Sequence, residues 1–287
     1  MTPHPALPSR QIRWSGHSDR GKVRPHNEDC FLALQFDARE VYRLGKIGES
    51  HTGDYHFVFA VSDGMGGALA GEFASRVTVD KILQLMPRSF RQDVTGIEAG
   101  FIDVLGELFG EIDFALKHLG GSYPEECRGM GATLSLCWLT AEWLYFGHIG
   151  DSRLYYLERA TGALRQISHD DTHIGWLRRN GKISEREARH HPRRTALQKA
   201  LGADYQFVTP QVGSVYLQPG DLFLLCSDGL TEGLFDSQIA EKLLASASQP
   251  AGQPVAQDLI RSSLQSGGGG DNITALVIEV MGASPLT

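Results

Sequence analysis

Apolar runs along this chain repeatedly end or begin at a carboxylate. Residues 57–61, Phe-Val-Phe-Ala-Val, pass through Ser62 into Asp63, Gly64, Met65, Gly66 and Gly67. Residues 143–149 end at Gly150 and Asp151, and residues 222–227 end at Asp228 and Gly229. The glycines 267–270 lead through Asp271 and Asn272 into the run 273–280, and Asn27, Glu28 and Asp29 open the run 30–36. Short apolar runs bounded by glycine predict buried strands. Glycine permits positive φ and close backbone approach, so Asp63 is expected at a rigid strand end with the Gly64 carbonyl exposed beside it. Two adjacent oxygens on a tight turn suit a hard cation such as Mg²⁺ or Mn²⁺. One Asp-Gly alone is more simply a hairpin turn. Its recurrence changes the balance: carboxylates gathered at strand ends repel one another, and bound cations relieve that repulsion.

Between the runs the period changes. Over residues 68–86, Phe73, Ala74, Val77, Ile82 and Leu85 mark one helical face, with Pro87 as the expected stop. Over residues 97–119, Phe101, Leu105, Leu108, Ile112, Ala115 and Leu119 recur at three and four, with Gly120 and Gly121 as the expected end. Such stripes read as core rather than as a cofactor site. Strands are predicted at 133–139, 143–149 and 153–158, close enough in sequence to pair antiparallel. Further strands fall at 207–216, 221–226 and 273–280, and helices at 237–247 and 254–266. Residues 12–29 read as strand then loop, and 37–56 as a long hairpin loop that could include strand extensions. Residues 170–200 read as a small helical subdomain laid over the sheet. The expected class is α+β, with two antiparallel sheets packed together and flanked by helices on both outer faces. The expected organisation is one domain over residues 11–281, with loose tails at 1–10 and 282–287.

Composition narrows the function. Apolar residues make up 41% and charged residues 21% of 287, an ordinary globular balance with ample core. The net charge of −7 argues against general nucleic-acid binding and suits a carboxylate-rich site. Cys30, Cys127, Cys137 and Cys226 show neither CxxC pairing nor zinc spacing, and read as thiols in a reducing cytoplasm. No apolar stretch approaches the roughly 18 residues that span a bilayer, and the N-terminal residues lack a signal-peptide core, so no membrane partner is expected.

Ordered motifs then carry a family resemblance. They are Ser18-Asp19-Arg20-Gly21 with Arg24 and Asn27-Glu28-Asp29; Asp63-Gly64-Met65-Gly66-Gly67; Gly150-Asp151-Ser152-Arg153; Ser227-Asp228-Gly229-Leu230; and Gly270-Asp271-Asn272-Ile273-Thr274. Each is common alone, but the ordered set resembles the metal-dependent type 2C (PPM) Ser/Thr protein phosphatases, bacterial type, over nearly the whole chain. The resemblance implies a four-layer α-β-β-α sandwich with two core Mn²⁺ or Mg²⁺ ions and scope for a third. It implies that Asp63 bridges the two core ions, that the Gly64 carbonyl binds one, and that Asp228 and Asp271 bind the other. Asp151 would help Asp228 hold the third. Glu28, Asp29 and Asn272 would hold metal-bound waters, and Arg24 would grip the substrate phosphate. The implied reaction is hydrolysis of phosphoserine and phosphothreonine on proteins by a metal-bridging hydroxide that attacks phosphorus directly. The guanidinium of Arg24 can fork onto two phosphate oxygens. The implied partners are phosphorylated proteins and a cognate Ser/Thr kinase.

Some positions read two ways. Arg24 could be a surface ion pair, and Asp19 more simply caps a turn than binds metal. Many eukaryotic members carry a histidine in the Asp-Gly-x-Gly-Gly turn as a proposed general acid. Met65 stands there in this chain and cannot donate a proton, so the acid is unassigned. His148 reads as a core histidine rather than that acid. Asp171 stands where a family motif usually has histidine. Arg178, Arg179, Lys182, Arg186, Arg189, Arg193 and Arg194 crowd the segment where bacterial members carry a flap; they read as a solvated face or as a guide for acidic phosphoprotein segments. The alternative to an enzyme is an inactive family member that binds phosphoproteins, and a phosphatase of small esters is a further reading.

Overall fold

The computed structural model describes residues 9–53, 55–94, 100–122, 129–203, 208–246 and 254–281. In chain order the elements are β1 (Gln11–Asp19), β2 (Asp29–Phe36), β3 (Val41–Arg43), β4 (Ile47–His51), β5 (His56–Met65), α1 (Ala68–Val94) and α2 (Phe101–Ser122). Then come β6 (Gly131–Ala132), β7 (Leu134–Leu139), β8 (Trp143–Ile149), β9 (Arg153–Glu158), β10 (Ala163–Gln166), α3 (His173–Arg179) and α4 (Glu185–His190). The chain finishes with β11 (Gln211–Tyr216), β12 (Leu222–Cys226), α5 (Asp228–Gly233), α6 (Asp236–Ser246), α7 (Val255–Gln265) and β13 (Ile273–Val280).

One sheet has the order β10-β9-β12-β13-β1-β4 and the other β11-β8-β7-β5-β2-β3, with β6 beside β5. The named strands pair antiparallel throughout. Side chains alternate across each strand. Phe57, Phe59 and Val61 of β5 point between the sheets, against Leu154, Phe223 and Ile278. Val58 and Ala60 point outward, to Ile82 of α1 and Ile112 of α2. On the other outer face Leu157, Leu224 and Val277 meet Leu230, Ile239 and Leu259 of α5, α6 and α7. Strands buried on both faces carry no polar alternation, which is why they stand out as unbroken apolar runs. Each large aliphatic side chain so buried contributes roughly 1.5–3 kcal/mol. The four-layer sandwich is thus the observed architecture.

Several local expectations change. Helix α1 runs through Pro87 to Val94, although an interior proline removes one helical hydrogen bond and crowds the carbonyl four residues back. Its buried line is Ala70, Ala74, Val79, Ile82 and Met86, while Phe73 is 37% exposed. Helix α2 continues through Gly120 and Gly121 to Ser122. The expected start of α2 at Ile97 falls on undescribed residues, as do Cys127, Phe207 and most of both tails. The segment 37–56 supplies an edge strand to each sheet: β3 pairs with β2, and β4 with β1. Asp228 opens a short helix, α5, which the sequence pattern does not predict.

Candidate metal centre

Strand direction gathers the carboxylates. β2 and β5 are antiparallel, so Asp29 at the start of one faces Asp63 near the end of the other as a Cα partner. β12 and β13 are likewise antiparallel, which sets Asp228, just past β12, beside Asp271, just before β13. The turn Gly150-Asp151-Ser152 links β8 of one sheet to β9 of the other at this same edge. The five run ends picked out in the sequence therefore meet.

The backbone at Gly64 is closely held. Gly64 N donates to Glu28 O at 3.1 Å. A Cβ at residue 64 would lie 1.9 Å from Gly71 O in α1. Gly64 is buried against that helix. Gly66 and Gly67 take φ of +116° and +90°, values open to glycine, and so turn the chain from β5 into α1.

The charge balance is strained. Burial, then Asp29, Asp228, Asp151 and Asp271, push Asp63 well above the usual carboxylate range. Burial, then Asp151 and Asp271, do the same to Asp228. Burial and Asp170 raise Asp151 to about 7, against the pull of Arg153. Burial raises Asp29 to about 6 although Ser227 donates to its Oδ2 at 2.7 Å. Burial also raises Glu28, with Arg24 opposing it. Asp29 Oδ1 and Asp228 Oδ1 are buried without a hydrogen-bond partner among the described residues. Buried unpaired oxygens are costly unless a cation or donor meets them.

Arg24 extends over the site from the β1–β2 loop and donates from Nη2 to Asp271 Oδ2 at 2.7 Å. Asn272 is bound to that loop on three sides: its Oδ1 accepts from Glu28 N at 2.8 Å, and its Nδ2 donates to Arg20 O and His26 O, each at 2.9 Å. Asn272 therefore shapes the loop that carries Arg24 and Glu28. Asp19 accepts from Gly21 N at 2.8 Å, which is the turn cap.

Beside the site lie the short helices α3 and α4, with Ile174 and Ala188 as their buried residues. They cover a cleft lined by Asp151, Arg153, Arg178, Glu185, Arg189 and Asp228 among others. Arg153 grips Asp170 through Nε and Nη2, at 3.0 and 2.7 Å, and donates to Tyr155 OH at 3.0 Å. Asp171 accepts from Gly150 N at 3.1 Å and so braces the turn that carries Asp151. His148 is fully buried, with Ser135 Oγ 2.9 Å from Nδ1 and two carbonyls 3.1 Å from Nε2, and burial lowers its pKa. It is a core histidine. The basic segment is not one solvated face: Arg178 pairs with Asp236, Arg194 with Glu232, and Arg189 lies 3.6 Å over the Phe235 ring. Arg179, Lys182, Arg186 and Arg193 remain exposed. Sequence reading missed Glu232, whose charge also raises Asp228. The signal was the spacing of four from Asp228, visible once 228–233 is read as a helix.

An all-oxygen carboxylate set with orphaned buried oxygens fits hard divalent cations. No three or more His, Cys, Asp or Glu side chains among the described residues are already drawn together as an ion cage. Mutual repulsion and the Arg24–Asp271 pair both oppose such convergence.

The protein phosphatase 2C family model matches residues 46–265. The serine/threonine protein phosphatase PstP of Mycobacterium tuberculosis is 33% identical over 277 residues, covering 94% of this chain and 45% of that protein. The chain thus spans less than half of the mycobacterial relative. The serine/threonine phosphatase stp of Listeria monocytogenes is 31% identical, covering 91% of this chain and 93% of that protein. A solved structure of the catalytic domain of PstP in complex with two manganese ions superimposes with a TM-score of 0.72 at 29% identity, covering 95% of this chain and all of that one. No helix among the described residues is long and apolar enough to cross a membrane.

Proposed function

This chain belongs to the protein phosphatase 2C family, and from that premise we propose that it hydrolyses phosphoserine and phosphothreonine on proteins with Mn²⁺ or Mg²⁺ bound. The observation that carries the proposal is that Asp29, Asp151, Asp228 and Asp271 lie at neighbouring strand ends, near enough for their charges to act on Asp63, with buried oxygens on Asp29 and Asp228 that have no hydrogen-bond partner among the described residues. Asp63, the Gly64 carbonyl, Asp228 and Asp271 would hold two core ions, and Asp151 with Asp228 a third. Bound cations would neutralise the carboxylates, activate water and polarise the phosphoryl group.

The remaining work falls to the chain. Arg24, 44% exposed at its side chain, would exchange Asp271 for a phosphate and offset charge as the ester breaks. Glu28 and Asp29 would orient water from beneath, and Asn272 would keep the loop that presents Arg24 in place. Met65 contributes no proton, and water is the donor proposed for the leaving group. Exposed Arg179, Lys182, Arg186 and Arg193 would favour acidic phosphoprotein segments over small esters. A cytoplasmic location and a partner Ser/Thr kinase are part of the same proposal.

Phosphate release from phosphoserine and phosphothreonine peptides, compared with an aryl phosphate, in Mn²⁺ and in EDTA, tests this reading. Mn²⁺-dependent turnover with peptides preferred supports it. Tight phosphopeptide binding without turnover would favour a binding module, and preference for the aryl ester would favour a small-ester phosphatase.

A further inference from the structure

The β5 ladder departs from its pattern beside Asp63. A hydrogen-bonded antiparallel pair normally exchanges both backbone bonds. Asp63 and Thr133 make one of them, from Thr133 N to Asp63 O at 2.8 Å. In place of the other, Asp63 N donates to the Thr133 hydroxyl at 3.0 Å, while the Thr133 carbonyl accepts from the Ser62 hydroxyl at 2.8 Å. A side-chain oxygen thus stands where a backbone carbonyl normally would, at the residue expected to bridge two cations.

The same side chain reaches the second carboxylate turn. Thr133 Oγ1 lies 2.5 Å from Ser152 Oγ, the residue after Asp151. Its methyl side packs on the residue before Asp151: a Cβ at Gly150 would lie 2.6 Å from both Thr133 Cβ and Cγ2. Ser135 braces the turn from below, 3.1 Å from Ser152 O. Ser62, Ser135 and Ser152 are fully buried and Thr133 is 1% exposed, so these hydroxyls are bonded to one another and to backbone away from bulk solvent.

We propose that Thr133 is a positioning residue of the metal centre, fixing the spacing of Asp63 and Asp151 and thereby the affinity for divalent cations. The inference rests on the metal-centre reading above. Groups that orient ligands in this way tune affinity without touching the ion.

Thr133→Val keeps the shape and removes the oxygen, whereas Thr133→Ser keeps the oxygen. Mn²⁺ affinity is measured by titration calorimetry, with unfolding temperature in EDTA recorded alongside. Thr133→Val is expected to weaken Mn²⁺ about tenfold or more, and Thr133→Ser to stay within about threefold of wild type. A folded Thr133→Val that binds Mn²⁺ like wild type overturns the proposal. If valine at 133 prevents folding, Ser152→Ala decides: a loss of about threefold or more supports the proposal, and unchanged affinity overturns it. Wild type that binds no Mn²⁺ overturns the metal-centre reading itself, so the two failures are distinguishable.

Discussion

Arg24 donates from Nη2 to Asp271 Oδ2 at 2.7 Å, so the residue assigned to phosphate and a residue assigned to metal are paired with each other. A cation held by Asp271, as proposed, would therefore compete with Arg24 for one carboxylate oxygen. Asp271 also raises the Arg24 guanidinium, first through that hydrogen bond. Arg24→Gln is expected to tighten Mn²⁺ binding by about threefold, since the pair is solvent-screened. It should also lower kcat/KM on a phosphothreonine peptide about 100-fold, the scale of losing a charge-stabilising donor. Calorimetry and kinetics on the same preparation read both effects; a variant with weaker Mn²⁺ binding would contradict the competition.

The raised carboxylates make stability pH-dependent. Asp151 at about 7 and Asp29 at about 6 bind protons more tightly folded than unfolded, and Asp63 and Asp228 shift the same way. Their contribution is complete below the unfolded value of about 4 and is lost as pH rises through 6 and 7. His56, lowered to about 4 by burial, acts oppositely: its contribution is lost as pH falls from 6.5 through 4. The carboxylate effect is therefore cleanest above about pH 6.5. The unfolding temperature in EDTA should fall between about pH 6.5 and about pH 8, and Mn²⁺ should flatten or reverse that slope.

The flap residues divide into latch and guide. Arg178 pairs with Asp236, which also accepts from Tyr155 OH at 2.9 Å, while Arg179 is exposed. Arg178→Glu should loosen α3 and α4 and speed their proteolysis. Arg179→Glu should leave proteolysis unchanged and raise KM for a phosphoprotein about threefold or more, with no change for an aryl phosphate. Equal effects of Arg179→Glu on both substrates would remove the steering role.

Gly64→Ala would set a Cβ 1.9 Å from Gly71 O, a backbone atom with no rotamer to escape into. The variant should lose more than about 2 kcal/mol of stability, or fold with α1 displaced, as seen by denaturant unfolding.

Much of this was legible in the sequence because strand ends are local. The runs before Asp63 and Asp228 and after Asp29 and Asp271 announce themselves through two-sided burial, and antiparallel pairing then places their ends together. What was hidden depends on partners distant in sequence. Asn272 looks like a ligand-type amide, yet its bonds go to Arg20, His26 and Glu28. Thr133 looks like a strand residue, and only its contacts with Asp63 and Ser152 show otherwise. Pro87 reads as a stop in the sequence, yet α1 continues past it to Val94.

The most direct measurement is phosphate release from a phosphothreonine peptide by wild type and Asp63→Asn across a Mn²⁺ titration. Turnover that needs Mn²⁺, vanishes in EDTA and falls at least about 1000-fold in the variant is the predicted result. A folded wild type that binds Mn²⁺ without turning over, or an Asp63→Asn variant as active as wild type, would contradict the account.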